Sequence, residues 1–179
     1  GILSVARFND DGTLDWLPLT HGQAGLDASN GFRDQGDVVI EARRAASVLG
    51  ATPMDRPEDV EPNPVNGRVY VMLTNNTART HERLDGVNPR AHNAWGQVVE
   101  LAPAGGDHAA GSARWELLIK AGDPSDPGVD ADWNPATSEN GWFACPDNCA
   151  IDPDGRLWVC TDQGSKWKHR SGTADGVWA

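Results

Sequence analysis

One stretch of this chain occurs twice, and that repeat limits the folds open to it more than any other feature. Residues 57–74 run Pro57-Glu58-Asp59-Val60-Glu61-Pro62-Asn63-Pro64, pass through Gly67 and end at Thr74. Residues 146–162 run Pro146-Asp147-Asn148-Cys149-Ala150-Ile151-Asp152-Pro153, pass through Gly155 and end at Asp162. Each copy reads as a strand, a turn carrying Pro and Gly, and a second strand. A looser likeness links 1–19 to 96–120: Gly, an apolar strand, a polar turn, then a strand containing Trp. Alternating these two hairpins gives inner, second, third and outer strands, the order within a propeller blade.

The expected fold is therefore all-β. It consists of four-stranded antiparallel β-propeller blades, a partial propeller within a single domain spanning 1–179. Residues 1–19 read as an outer half-blade, 57–120 as a full blade and 146–164 as an inner half-blade. One short helix occupies a connecting loop. Its apolar positions are 38, 39, 42, 45, 46 and 49, with Asp37 as its cap and Gly50 as its stop. Strands are expected near 2–8, 13–19, 58–62, 68–74, 96–102, 114–120, 147–151 and 157–161. Because propellers close with at least about four blades, this chain needs the remaining blades or another copy for closure.

Composition agrees with a turn-rich β protein, since 20 Gly and 12 Pro punctuate short apolar blocks and eight Trp supply bulk. A formal charge of −11 argues against nucleic acid and against an anionic membrane surface as partners. No apolar run is long enough for a transmembrane helix, and no secretory leader is read at Gly1-Ile2-Leu3.

The chemistry gathers where inner strands begin, because in a propeller those starts converge at one end of the channel. Here the starts are Arg56-Pro57-Glu58-Asp59-Val60-Glu61 and Pro146-Asp147-Asn148. Carboxylates grouped at a channel mouth suit hard cations such as calcium, magnesium, manganese or ferric iron. A neighbouring Arg suits a phosphate or carboxylate, which its planar fork grips with two parallel bonds. In a regular strand Glu58 and Glu61 point to opposite faces, so a site using both requires a bend or bulge between them. The alternative is that these groups pair with one another and cap turns.

These residues carry a resemblance. Arg56-Pro57-Glu58-Asp59-Val60-Glu61-Pro62-Asn63, the Asn88–Gly96 segment and Pro146-Asp147-Asn148 through Gly155 are similar to the PhoX alkaline phosphatase family. The resemblance implies a β-propeller with an iron and calcium cluster at its channel mouth, hydrolysing phosphate monoesters. It implies Glu58, Glu61 and Asp147 as metal ligands and Arg56 as the catalytic, phosphate-binding group. Asp59 and Asn148 are weaker candidates for orienting those ligands. It also implies export to the periplasm or outside the cell. The family's iron-binding Cys has no counterpart here, so the chain looks like a central portion of such a protein, expected to be inactive alone. A non-catalytic propeller module that binds ligands or proteins on its faces is the other function class.

The remaining residues carry weaker signals. Cys145, Cys149 and Cys160 show no CxxC pair, and Cys149 and Cys160 are expected roughly opposite one another across their hairpin, as free buried thiols. The five His lack metal spacing, and the aspartates at 123, 126, 130 and 132 read as a solvated loop. The basic cluster from Lys166 to Arg170 reads as an exposed tail.

Overall fold

The computed structural model describes every residue from Gly1 to Ala179. Strands β1 (Ser4–Phe8) and β2 (Thr13–Pro18) form a hairpin, followed by α1 (Gln35–Ile40) and α2 (Ala42–Leu49). Then come β3 (Pro57–Pro62), β4 (Val69–Leu73), β5 (Gln97–Pro103) and β6 (Ser112–Lys120). Strands β7 (Pro146–Ile151) and β8 (Leu157–Thr161), the short α3 (Trp167–Arg170) and β9 (Val177–Trp178) complete the chain. All strand pairings are antiparallel. No helix is long and apolar enough to cross a membrane.

Strands β3 to β6 form the four-stranded meander expected for 57–120, paired in sequence order. The N-terminal hairpin does not stand in a sheet of its own. Its β2 pairs with the outer strand β6 from Thr13 opposite Arg114 to Asp15 opposite Ser112, so one curled six-stranded sheet results. The free edge of β6 explains this: an unpaired row of peptide groups takes whichever strand reaches it. Strands β7, β8 and β9 make a second, three-stranded sheet.

The expected helix over 37–49 is broken in two. It starts earlier, with Asp34 rather than Asp37 accepting the capping bond, and Glu41 leaves helical geometry at φ −98 and ψ 37. Asp37 is instead occupied by Arg33, which reaches it at 2.8 Å and 2.9 Å. The stop at Gly50 is left-handed, φ 70, as expected of a terminating glycine.

Strand β4 is apolar on both faces because each face covers a different core. Val71 and Leu73 join Leu14, Val99 and Leu101 on one side. Tyr70 and Met72 join Val98, Phe143, Cys149 and Val159 on the other, between the two sheets. Burying a side chain of this size is worth roughly 1.5–3 kcal/mol, so this second cluster is the main force holding the sheets together. A third cluster of Leu19, Leu26, Phe32, Val38 and Ala45 anchors the helical connection.

Polar bonds clasp β3 to β7 along their length. Asp59 Oδ2 accepts from the Cys149 backbone N–H at 2.8 Å, and at the turns Asn63 Nδ2 donates to the Gly155 carbonyl at 2.9 Å. The two repeat turns are also built alike: Gly67 N–H donates to Asn63 O, and Gly155 N–H donates to Asp152 O, both at 2.9 Å.

Candidate functional site

Both inner strands carry a β-bulge at the same repeat position. In β3, Pro57 lies opposite Leu73 but Asp59 opposite Met72, so Glu58 is the extra residue. In β7, Pro146 lies opposite Thr161 but Cys149 opposite Val159, so Asp147 and Asn148 face a single residue. A bulge breaks the two-residue alternation and re-aims a side chain. Its effect is visible on the far face, where Pro57 and Val60, three apart, line the same groove with Phe8 and Val71. Glu58, Asp59 and Glu61 are thereby left together on the side facing β7. The bend that a joint Glu58 and Glu61 site requires is present.

The residue before each bulge is also unusual. Arg56 has φ 47 and Cys145 has φ 59, both left-handed and both followed by Pro. A side chain in this region costs about 1–3 kcal/mol and needs surroundings that hold it. The surroundings are clear for Arg56. The Thr74 N–H donates to the Arg56 carbonyl at 3.1 Å, and the Arg56 N–H donates to Met54 O at 3.0 Å. The repeat reproduces the first bond, Asp162 N–H to Cys145 O at 3.0 Å.

Arg56, Glu58 and Asp147 converge at one end of the two strands. Arg56 Nη2 donates to Glu58 Oε1 at 2.8 Å, while the Arg56 side chain stays 57% exposed, leaving its other donors open to a ligand. Asp147 accepts from the Thr74 hydroxyl at 3.2 Å. Its carboxyl is pushed above the usual range, first by burial, with the charges of Glu58 and Asp162 adding and the Thr74 bond and Arg56 opposing. A carboxylate resting at this cost gains from a cation. Glu61 lies further along β3, where it and Asp59 help burial push the Cys149 thiol up to about 12. Asp59 is engaged by the Cys149 backbone. Asn148 is exposed within its bulge. The donor set is all oxygen and suits hard cations, but no three His, Cys, Asp or Glu side chains converge as a ready ligand set. These residues therefore fit part of a cation site.

Sequence reasoning missed the support behind Arg56. Asp55 is fully buried and receives Arg79 Nε at 2.5 Å and Asn93 Nδ2 at 3.1 Å. Asn88 accepts from the Asp55 N–H at 3.0 Å, and Asn93 Nδ2 also donates to Gln97 at 2.6 Å. Arg90 donates to the carbonyls of Ala121 at 2.8 Å, Val129 at 3.2 Å and Gly96, tying the same segment to the loop after β6 and to the residue that precedes β5. The usable signal was the density of Asn and Arg in 88–93, polar side chains that bury only when fully bonded.

The cysteines differ from expectation in geometry. Cys149 lies opposite Val159, so Cys160 points to the other face; all three thiols are free, and Cys160 is exposed. The basic segment is not a loose tail, since Arg170 Nη1 donates to Cys145 Sγ at 2.6 Å.

The family model of the alkaline phosphatase PhoX matches residues 1–178. No curated protein matches the chain. Among solved structures, the chain is similar to Pseudomonas fluorescens PhoX in complex with vanadate, a transition state analogue. The identity is 40% and the TM-score 0.85 over 93% of this chain, which spans 31% of that one. The strand order, the repeated bulged hairpins and the match along nearly its full length establish that the chain belongs to the PhoX alkaline phosphatase family.

Proposed function

We propose that this chain supplies one sector of a metal-dependent phosphatase site that hydrolyses phosphate monoesters. The observation that carries the reading is the convergence of Arg56, Glu58 and Asp147 at two equivalent bulges. Arg56 grips the phosphoryl oxygens through the guanidinium donors that Glu58 leaves free, and steadies the charge that grows on them. Glu58, Glu61 and Asp147 would hold the cations, calcium and iron by family resemblance. Such cations, when bound, would polarise the phosphoryl oxygens and lower the pKa of an attacking oxygen. Asp59 orients Glu58 by fixing β3 against β7, and Asn148 flanks Asp147. The vanadate held by the P. fluorescens protein supports phosphoryl transfer as the reaction class.

The chain spans 31% of that neighbour, which supports a further point: other blades complete the ring and the ligand set, and the isolated 179 residues are inactive. By family resemblance the enzyme works in the periplasm or outside the cell, and the net charge of −11 supports the absence of nucleic acid or anionic membrane partners.

The test is phosphate release from an aryl phosphate at alkaline pH by the intact protein, with calcium and iron supplied. Turnover inhibited by vanadate is expected, with Arg56→Ala lowering kcat/KM by about 10²–10³-fold. An intact protein that releases no phosphate would instead favour a binding module.

A further inference from the structure

Thr74 closes β4 at the point where the two inner strands begin. It is buried, 1% exposed, and makes two bonds in different directions. Its N–H donates to the carbonyl of the strained Arg56 at 3.1 Å. Its hydroxyl donates to Asp147 Oδ1 at 3.2 Å, across the gap between the sheets. Its own carbonyl is pressed against Gly96, where an added Cβ would lie 2.3 Å away. The residue is therefore wedged and has little freedom to turn.

The repeat separates what is generic here from what is particular. At the equivalent place in the second copy, Asp162 N–H makes the same backbone bond to Cys145 O. That bond belongs to the hairpin design. The hydroxyl does not: the second copy has a carboxylate there, and only Thr74 offers a donor to Asp147.

We propose that Thr74 is a positioning residue that fixes the Asp147 carboxylate relative to Arg56, so that the cation-holding and phosphate-gripping parts of the site keep one spacing. The proposal rests on the phosphatase reading of this site. A hydroxyl donor selects one Asp147 rotamer, because swinging the carboxylate away leaves a buried O–H without a partner. Groups that orient ligands in this way typically matter by about 10–100-fold.

The test uses the intact protein and the variants Thr74→Val and Thr74→Ser. Val keeps the shape and the backbone bond but removes the donor, so kcat is expected to fall about 10–100-fold, with inhibition by vanadate, a transition state analogue, weakened in parallel, while KM, set through Arg56, changes less than about threefold. Ser restores the donor and is expected to recover most of kcat, which a packing defect would not allow. A crystal structure of Thr74→Val is the readout independent of activity: the Asp147 carboxylate should occupy a different rotamer. If Val does not fold, Thr74→Ala provides the same comparison against Ser. Unchanged kcat together with an unmoved Asp147 overturns the proposal. A wild-type protein without turnover whose Asp147 still swings away on Thr74→Val overturns only the phosphatase reading.

Discussion

Arg79 donates to Asp55 at 2.5 Å with both side chains removed from water, 4% and 0% exposed. Asp55 directly precedes Arg56 in the chain, and the pair is completed by Asn88 and Asn93. Removing one member leaves a buried charge unmatched, which costs about 3–5 kcal/mol. Arg79→Met should therefore lower the urea midpoint sharply, whereas replacing an exposed pair member, Arg7 of Arg7–Asp15, should cost under about 1 kcal/mol. Equal midpoints for the two variants would show that the buried pair has no special role.

Gly96 should tolerate no side chain. Its φ is 80, and a Cβ would lie 2.4 Å from Leu73 O, 2.3 Å from Thr74 O and 2.8 Å from Pro146 Cδ. The first two are backbone atoms, so relief requires moving β4 away from β5. Gly96→Ala should cost more than about 3 kcal/mol, read as loss of soluble protein or a collapsed melting temperature. Gly67→Ala is the comparison: the same left-handed strain, φ 72, with open space around it, and a loss nearer 1 kcal/mol. Similar melting temperatures would sink the packing argument.

The thiols should separate by reactivity. Burial raises the Cys145 thiol and takes Cys149 to about 12, whereas Cys160 is exposed. Since the thiolate is the reactive form, an aromatic disulfide reagent at pH 8 should titrate one thiol quickly and two slowly. Three should react at once in denaturant without reductant. A denatured count of one would mean a disulfide exists.

Acid should destabilise the fold through its turns. Asp11, Asp27 and Asp152 are held below the usual 3.8 mainly by turn hydrogen bonds from Thr13, Ser29 and the Arg156 backbone, and Asp15 and Asp37 by Arg7 and Arg33. Their folded-state values are depressed, so the stability they give is present above the unfolded value and is lost as pH falls through the folded ones. Asp147 has the opposite sign: its carboxyl is raised, and protonating it relieves the fold. Melting temperatures should be flat from about pH 7 to 5 and drop below about pH 4. A rise below pH 4 would mean that groups like Asp147 dominate.

The parts of this fold that repeat were legible from sequence, and the parts set by partners were not. The Pro57 and Pro146 hairpins announced themselves by recurrence, and a site using both Glu58 and Glu61 already required a bend or bulge. The attachment of β2 to β6 had no local signal, because pairing at a free edge depends on which strand arrives. The start of α1 was ambiguous because Asp34 and Asp37 are both residue types that cap, and only the Arg33 contact decides between them. The Asp55–Arg79 pair was invisible for the same reason, since residues 24 apart meet through the folded loop alone.

The bulges at Glu58 and Asp147 are two copies of one error in counting, each hairpin carrying one residue too many on its inner strand. A kink that is copied with its hairpin is copied in place, so each copy delivers an acidic group to the same end of its inner strand. Neither hairpin encloses anything by itself. The negative charge at that end is then the sum of two separate contributions, and changing one acidic position alters a single share without disturbing the kink that presents it.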